Sequence, residues 1–265
     1  MAAITHAELA RQSAQAVVPY VMDLLEPRSV CDVGCGRGIW LAVFQEHGAE
    51  QVIGADSADI DPSHLQIDAA DFVVADLDQG VPIEGRFDLA VSLEVAEHLS
   101  SDAAERLVAD LVRLAPAVLF SAAVPGQGGL DHTNEQWPAY WQSLFGRHDY
   151  LAIDCIRPRI WDSEEVAFWY RQNTLLFAHE DLIDSHEGLK REYEASAGRS
   201  LSIVHPKLFE IVLRRLEPWR RVRDVAEAVE AGRLDEGELE EQIGKVVRRY
   251  AERARARARA DRRFT

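Results

Sequence analysis

A chain of 265 residues with 47% hydrophobic content can bury one large core, with room for an appendage. Its net charge of −16 excludes a general nucleic-acid binder, which needs a basic footprint. Three cysteines, Cys31, Cys35 and Cys155, cannot build a disulfide framework and have no second ligand pair for zinc.

Residues 7–26 predict a helix, with apolar positions from Leu9 to Leu25 and Pro19 placed to kink or divide it. Ser29–Val33 is a short apolar strand that runs into Asp32-Val33-Gly34-Cys35-Gly36-Arg37-Gly38. Ile39–His47 follows as a helix stopped by Gly48. Further strands are predicted at Gln51–Ala55, Phe72–Ala75, Phe87–Ser92, Ala117–Val124, Tyr150–Ile156 and Asn173–Ala178. Between them lie helices at Ser101–Leu114, with Asp102 and Glu105 spaced as a capping box, and at Gln136–Phe145. Asp162–Ala167 reads as a short helix inserted before the last strand.

Apolar strands alternating with amphipathic helices predict an α/β fold with a mostly parallel sheet covered on both faces. The division expected is a helical cover over residues 1–27, a ligand-binding domain over 28–180 and a helical appendage over 181–265. In the appendage, Leu208–Leu216, Arg221–Glu230 and Glu236–Ala258 read as helices, broken near Gly232. They would cover the domain or pair with a second copy in a homo-oligomer. Between Arg248 and Arg263 there are eight arginines against Glu252 and Asp261, which leaves about −22 for the rest. This end reads as a solvated helix end or as a clamp onto an acidic subunit. No apolar run approaches the ~20 residues that cross a bilayer. Residues 1–25 have no charged start followed by an apolar signal core, so a cytoplasmic protein with reduced thiols is expected.

Ligands of such sheets sit at the carboxyl ends of the strands, where strand order reverses. The loop after the first strand is a Gly-x-Gly-x-Gly turn preceded by Asp32, whereas the dinucleotide fingerprint is Gly-x-Gly-x-x-Gly. An acid entering the loop suits an ammonium and repels a pyrophosphate. Asp56 ends the second strand, where a carboxylate can accept both hydroxyls of a ribose or cap the next segment. Asp76 ends the third strand, where it can meet an adenine amino group beside Leu77 or simply face water.

Taken together, Asp32–Gly38, Gly54-Ala55-Asp56, Asp76-Leu77 and the stretch from Phe87 through Glu94 to Leu99 resemble the class I S-adenosylmethionine-dependent methyltransferases. The last stretch is similar to the fourth-strand segment of small-molecule methyltransferases of quinone and sugar pathways. The resemblance covers roughly residues 25–180. It implies a Rossmann-like seven-stranded sheet with its last strand antiparallel, and S-adenosyl-L-methionine as cofactor. It also implies cofactor contacts from Asp32, Gly34, Gly36, Gly38, Asp56, Asp76, Leu77 and Glu94.

The acceptor side should follow the fourth and fifth strands. His132, in the glycine-containing segment Pro125–Trp137, is the general-base candidate, with Asp131 or Glu135 to orient it; otherwise it caps the next helix. A metal held by Asp131, His132 and Glu135 is considered, and none is assigned. His98 reads as packing or as shaping the cofactor pocket. Trp137, Arg157, Arg159, Trp161, Trp169, Tyr170 and Arg171 form an aromatic and arginine cluster that suits an anionic small molecule. The same side chains equally suit a core staple with paired arginines. The expected activity is methyl transfer to an oxygen, less so a nitrogen, of a small molecule such as a sugar or natural-product intermediate. Two other functions compete. A nicotinamide-dependent reductase is opposed by the loop spacing and by the lack of a Tyr-x-x-x-Lys pair. A non-catalytic cofactor-binding subunit is opposed by the intact loop around His132.

Overall fold

The computed structural model describes residues 5–231, together with residues 237, 241, 244, 245, 247 and 248. Two compact units divide at residues 205 and 206, with residues 181–205 in the first.

The first unit opens with α1 (His6–Leu25). Thr5 caps it by accepting from the Glu8 N–H while the Glu8 carboxylate accepts from the Thr5 N–H, a reciprocal capping box. Pro19 sits inside one continuous helix and does not divide it. Then come β1 (Ser29–Val33), α2 (Ile39–Glu46), β2 (Gln51–Asp56) and β3 (Phe72–Val74). These are followed by β4 (Leu89–Leu93), α3 (Ser101–Leu114), β5 (Ala117–Ser121), α4 (Pro138–Gly146) and β6 (Tyr150–Ile153). The unit continues through α5 (Arg157–Ile160), α6 (Phe168–Asn173), β7 (Leu175–His179), α7 (Glu180–Ser185) and α8 (Glu187–Ser196).

The seven strands form one sheet in the order β3-β2-β1-β4-β5-β7-β6. All neighbours pair parallel except β7, which runs antiparallel to both β5 and β6. Strands β1, β4 and β5 are buried along nearly their whole length, as a sheet covered on both faces requires. One apolar cluster packs α1 and α2 on one face, around Val17, Leu41, Phe44 and Leu119. The other packs α3 and α4 on the opposite face, around Leu107, Leu111, Phe120 and Phe145.

Two local expectations change. The cap of α3 is Ser100, whose Oγ accepts from the Ala103 N–H, so Asp102 and Glu105 do not form the box. An apolar Ala103 at the third helical position leaves no reciprocal acceptor there. Residues 162–167 form turns, and the helices flank them as α5 and α6; the Ala167 N–H donates to Ser13 Oγ of α1, which fixes the segment without helical bonds.

The second unit contains α9 (Pro206–Glu230), one helix where two were expected. The arginine-rich stretch 249–265 and most of the helix expected over 236–258 lie outside the described residues. Among the described residues, no helix is long and apolar enough to cross a membrane.

Candidate active site

Strand order reverses between β1 and β4, so the loops that leave their carboxyl ends diverge and open a crevice. The loop after β1 enters it. Gly34 and Gly36 hold φ of +83° and +53°, values that side chains rarely adopt. A Cβ on Gly34 would meet Val95 Cγ2 at 2.2 Å, so this glycine is fixed by packing. A Cβ on Gly36 would meet nothing within 4 Å, so the backbone there borders open space that a ligand can enter. Asp56, at the end of β2, accepts from the Gly36 N–H and the Ser57 N–H, both at 2.6 Å, and so braces the loop. Each of its oxygens keeps a second lone pair for a ligand hydroxyl. Asp32 is buried beneath the loop at 3% exposure, and burial, followed by the nearby Asp56 charge, raises its carboxyl well above the ordinary range.

Asp76 is exposed, and its Oδ1 accepts from the Asp78 N–H in a local turn, while Leu77 packs on the core. Glu94 ends β4 with a left-handed φ of +58°, a conformation that costs a non-glycine residue about 1 kcal/mol. Its N–H reaches the Ser121 carbonyl and hydroxyl. Its carboxylate accepts from Gln127 Nε2 at 2.8 Å and Asn173 Nδ2 at 3.0 Å, so it ties β4 to the loop after β5 and to the end of α6.

On the acceptor side, the segment after β5 is stitched onto the turn after β4. The Thr133 and Asn134 N–H groups both donate to the Glu97 carbonyl, at 2.9 and 3.0 Å. Glu135 gathers the same loop by accepting from the Gly126 N–H at 2.8 Å and the Gly128 N–H at 2.5 Å. Its Oε1 also lies 2.9 Å from His132 Nδ1. His132 therefore does not cap α4, which starts at Pro138 after Trp137. The His132 ring meets His98 edge to face, with centroids 4.8 Å apart. Glu97, between Glu94 and His98, is fully buried, and neither carboxylate oxygen has a partner at hydrogen-bond geometry. Burial and the Glu94 carboxylate push its pKa up to about 9.

The aromatic and arginine cluster is largely occupied within the fold. Arg157, expected on an acceptor wall, is fully buried. Its guanidinium makes a two-pronged pair with Asp154 at 2.9 and 2.7 Å and donates to the Leu201 carbonyl at 2.8 Å. A buried fork with these partners has no edge left for an anion. Arg159 pairs with Glu192 at 2.8 Å and lies over the Tyr20 ring, 4.0 Å from its centre. The Trp161 ring lies against His205, Trp169 stacks on His6, and the buried Tyr170 meets Trp40 edge to face. Arg171 is partly buried and Trp137, at 40%, is exposed. The residues missed from sequence are Glu97 and His98 as neighbours of His132. They lie in the turn after β4 while His132 lies in the segment after the adjacent β5, which is the signal that could have joined them.

The strand order, the glycine cradle after β1 and the acid closing β2 define a class I methyltransferase fold. A family described as a methyltransferase domain matches residues 6–154, more than half of the chain. The chain belongs to that methyltransferase domain family, and its methyl donor is S-adenosylmethionine. Among solved structures, it is similar to magnesium protoporphyrin IX methyltransferase from Synechocystis PCC 6803 with bound SAH, at 20% identity over 65% of this chain and 84% of that one, TM-score 0.48. It is also similar to CalO1, a methyltransferase in calicheamicin biosynthesis, at 17% identity over 64% and 54%, TM-score 0.46. The mitomycin 7-O-methyltransferase MmcR gives 11% identity over 65% and 54%, TM-score 0.46. No curated protein sequence matches the chain.

Proposed function

We propose that this chain transfers the methyl group of S-adenosylmethionine to an oxygen of a small molecule. The cofactor supplies an electrophilic methyl carbon on a sulfonium, and the rest is placement. Asp32 lies beneath the loop to meet the ammonium of the methionine part, and the N–H groups and open face around Gly36 admit its backbone-like atoms. Asp56 accepts from the ribose hydroxyls, and Asp76 with Leu77 borders the adenine. Glu94, held by Gln127 and Asn173, closes the methionine side. In-line approach and exclusion of water supply most of the acceleration in such a displacement.

The observation that carries the oxygen reading is the His132–Glu135 pair at 2.9 Å on the acceptor side. A neutral amine attacks without losing a proton first, whereas a hydroxyl needs its proton removed. With Nδ1–H donating to Glu135, the imidazole keeps its Nε2 lone pair available to promote loss of that proton. A small acceptor agrees with the −16 charge, which repels nucleic acid. Arg157 offers no support for an anionic acceptor; of the arginines in the expected cluster, Arg171, beside Asp162 and Glu164, is the one with no ion pair to a carboxylate at close range among the described residues.

Incubation of the chain with carbon-13-methyl cofactor and fractionated metabolite extracts tests this reading. A labelled methoxyl in the small-molecule fraction is expected; label on nitrogen, protein or nucleic acid overturns it.

The raised Asp32 carboxyl gives the cofactor step a pH dependence. The free protein holds this proton above the ordinary carboxylate range, and an ammonium ligand requires the anion, so binding releases a proton and weakens as pH falls. Without ligand the sign reverses for folding. The unfolded chain gives up its proton first, so the shift costs stability as pH rises through that range. Calorimetry of S-adenosylhomocysteine binding in two buffers of different ionisation heat should show proton release; proton uptake would contradict the role given to Asp32.

A further inference from the structure

Glu97, His98 and His132 each offer a ligand atom, and these atoms all lie within 4.8 Å of one another. We propose that they hold a divalent cation which binds the acceptor oxygen. This deepens the oxygen reading above and rests on it for the cation's role, though not for the cation's presence.

The first observation is Glu97. Its side chain is fully buried beside a second carboxylate, Glu94, with no hydrogen-bond partner at either oxygen. Its polar neighbours are its own peptide N–H, that of Ala123 and the Glu94 side chain. A buried carboxyl group in that setting is costly unless a cation meets it. The second observation is how the two imidazoles are held. His132 Nδ1 is engaged by Glu135, and the Asp131 backbone lies beside the His98 ring. Metal-ligating histidines use their second nitrogen in this way, which fixes the ring and leaves the other nitrogen free. The third is placement: Gly129 packs against this ring, and a Cβ there would sit 2.1 Å from His132 Nε2, so a side chain at 129 would displace the imidazole.

Two imidazoles and one carboxylate suit a first-row divalent ion of the manganese, iron, cobalt or zinc type. Ligand distances of about 2.0–2.2 Å require these atoms to draw in by less than an ångström or two. Three protein ligands leave coordination positions open, and His98 is exposed, so those positions face solvent and an incoming acceptor. Asp131, considered earlier as a ligand, is not one of the three, and Glu135 acts behind His132. An acceptor hydroxyl on the cation would lose its proton to water more readily. Its oxygen then forms the new bond to the methyl carbon while the carbon–sulfur bond breaks, leaving the electron pair on sulfur. In this arrangement His132 positions the cation and does not itself take the proton.

The full chain, stripped with chelator and dialysed, should be titrated with Mn²⁺ alone and followed by the electron paramagnetic resonance of the free ion. One ion per chain is expected, with affinity at least tenfold weaker in H98A and in E97Q. His98 is exposed, so H98A should keep the wild-type melting temperature and report on the ligand alone. Absence of stoichiometric binding, or equal binding by H98A, overturns the site. Mn²⁺ binding by a chain that methylates only nitrogen would overturn the oxygen reading and leave the site standing. Full methoxyl formation in chelator, with no Mn²⁺ bound, would do the reverse.

Discussion

Replacing Asp56 by alanine is expected to weaken S-adenosylhomocysteine binding about 100-fold or more. Each hydroxyl-to-carboxylate hydrogen bond is worth about 1.5–3 kcal/mol, and about 1.4 kcal/mol is tenfold in affinity. Two such bonds to the ribose are lost together. The same substitution also removes the acceptor for the Gly36 N–H, so the cradle loses its brace as well as its ligand contact. Asp56→Asn separates the two effects, because an amide oxygen can still accept from Gly36 while the charge is gone. It should fall between wild type and alanine in calorimetric affinity. An alanine variant that binds within threefold of wild type would remove Asp56 from the ribose site.

Replacing Arg157 by alanine should unfold the protein more readily by about 3–5 kcal/mol, roughly 10 °C or more in melting temperature. The reason is the stranded partner: Asp154 is buried at 7% exposure, and the Leu201 carbonyl also loses its donor. A double variant, Asp154→Leu with Arg157→Met, removes both charges and should recover much of the loss. If Arg157 instead gripped an acceptor, its loss would raise KM and leave the melting temperature in place. Thermal unfolding followed by circular dichroism distinguishes the two.

The contrast between these two residues shows what a sequence reveals. The place of Asp56 was legible because it depends on position alone: the end of the second strand, about 20 residues after a glycine turn. The strands were legible for a similar reason, as short, mostly apolar stretches such as Val30–Val33 and Leu89–Leu93 run into a glycine or an acid. Arg157 was not legible, because a guanidinium suits a substrate anion and a buried aspartate equally. Only the tertiary structure supplies Asp154 on the same turn and the Leu201 carbonyl, 44 residues on. The aromatics Trp161, Trp169 and Tyr170 share this ambiguity, and their partners His205, His6 and Trp40 come from distant parts of the chain. The helices expected over Leu208–Leu216 and Arg221–Glu230 are one continuous α9. Glu97 and His98 were visible as residues of a familiar segment, but their meeting with His132 depends on two N–H groups bonding one carbonyl across a 36-residue gap.

The central claim is that the turn after β1, with Asp32 beneath it and Asp56 beside it, holds a sulfonium nucleoside carrying an amino acid. Titration of the full chain with S-adenosylhomocysteine, in competition with NAD, tests it most directly. The account predicts one nucleoside bound per chain, undisturbed by excess NAD. Binding of NAD without any response to S-adenosylhomocysteine would contradict it.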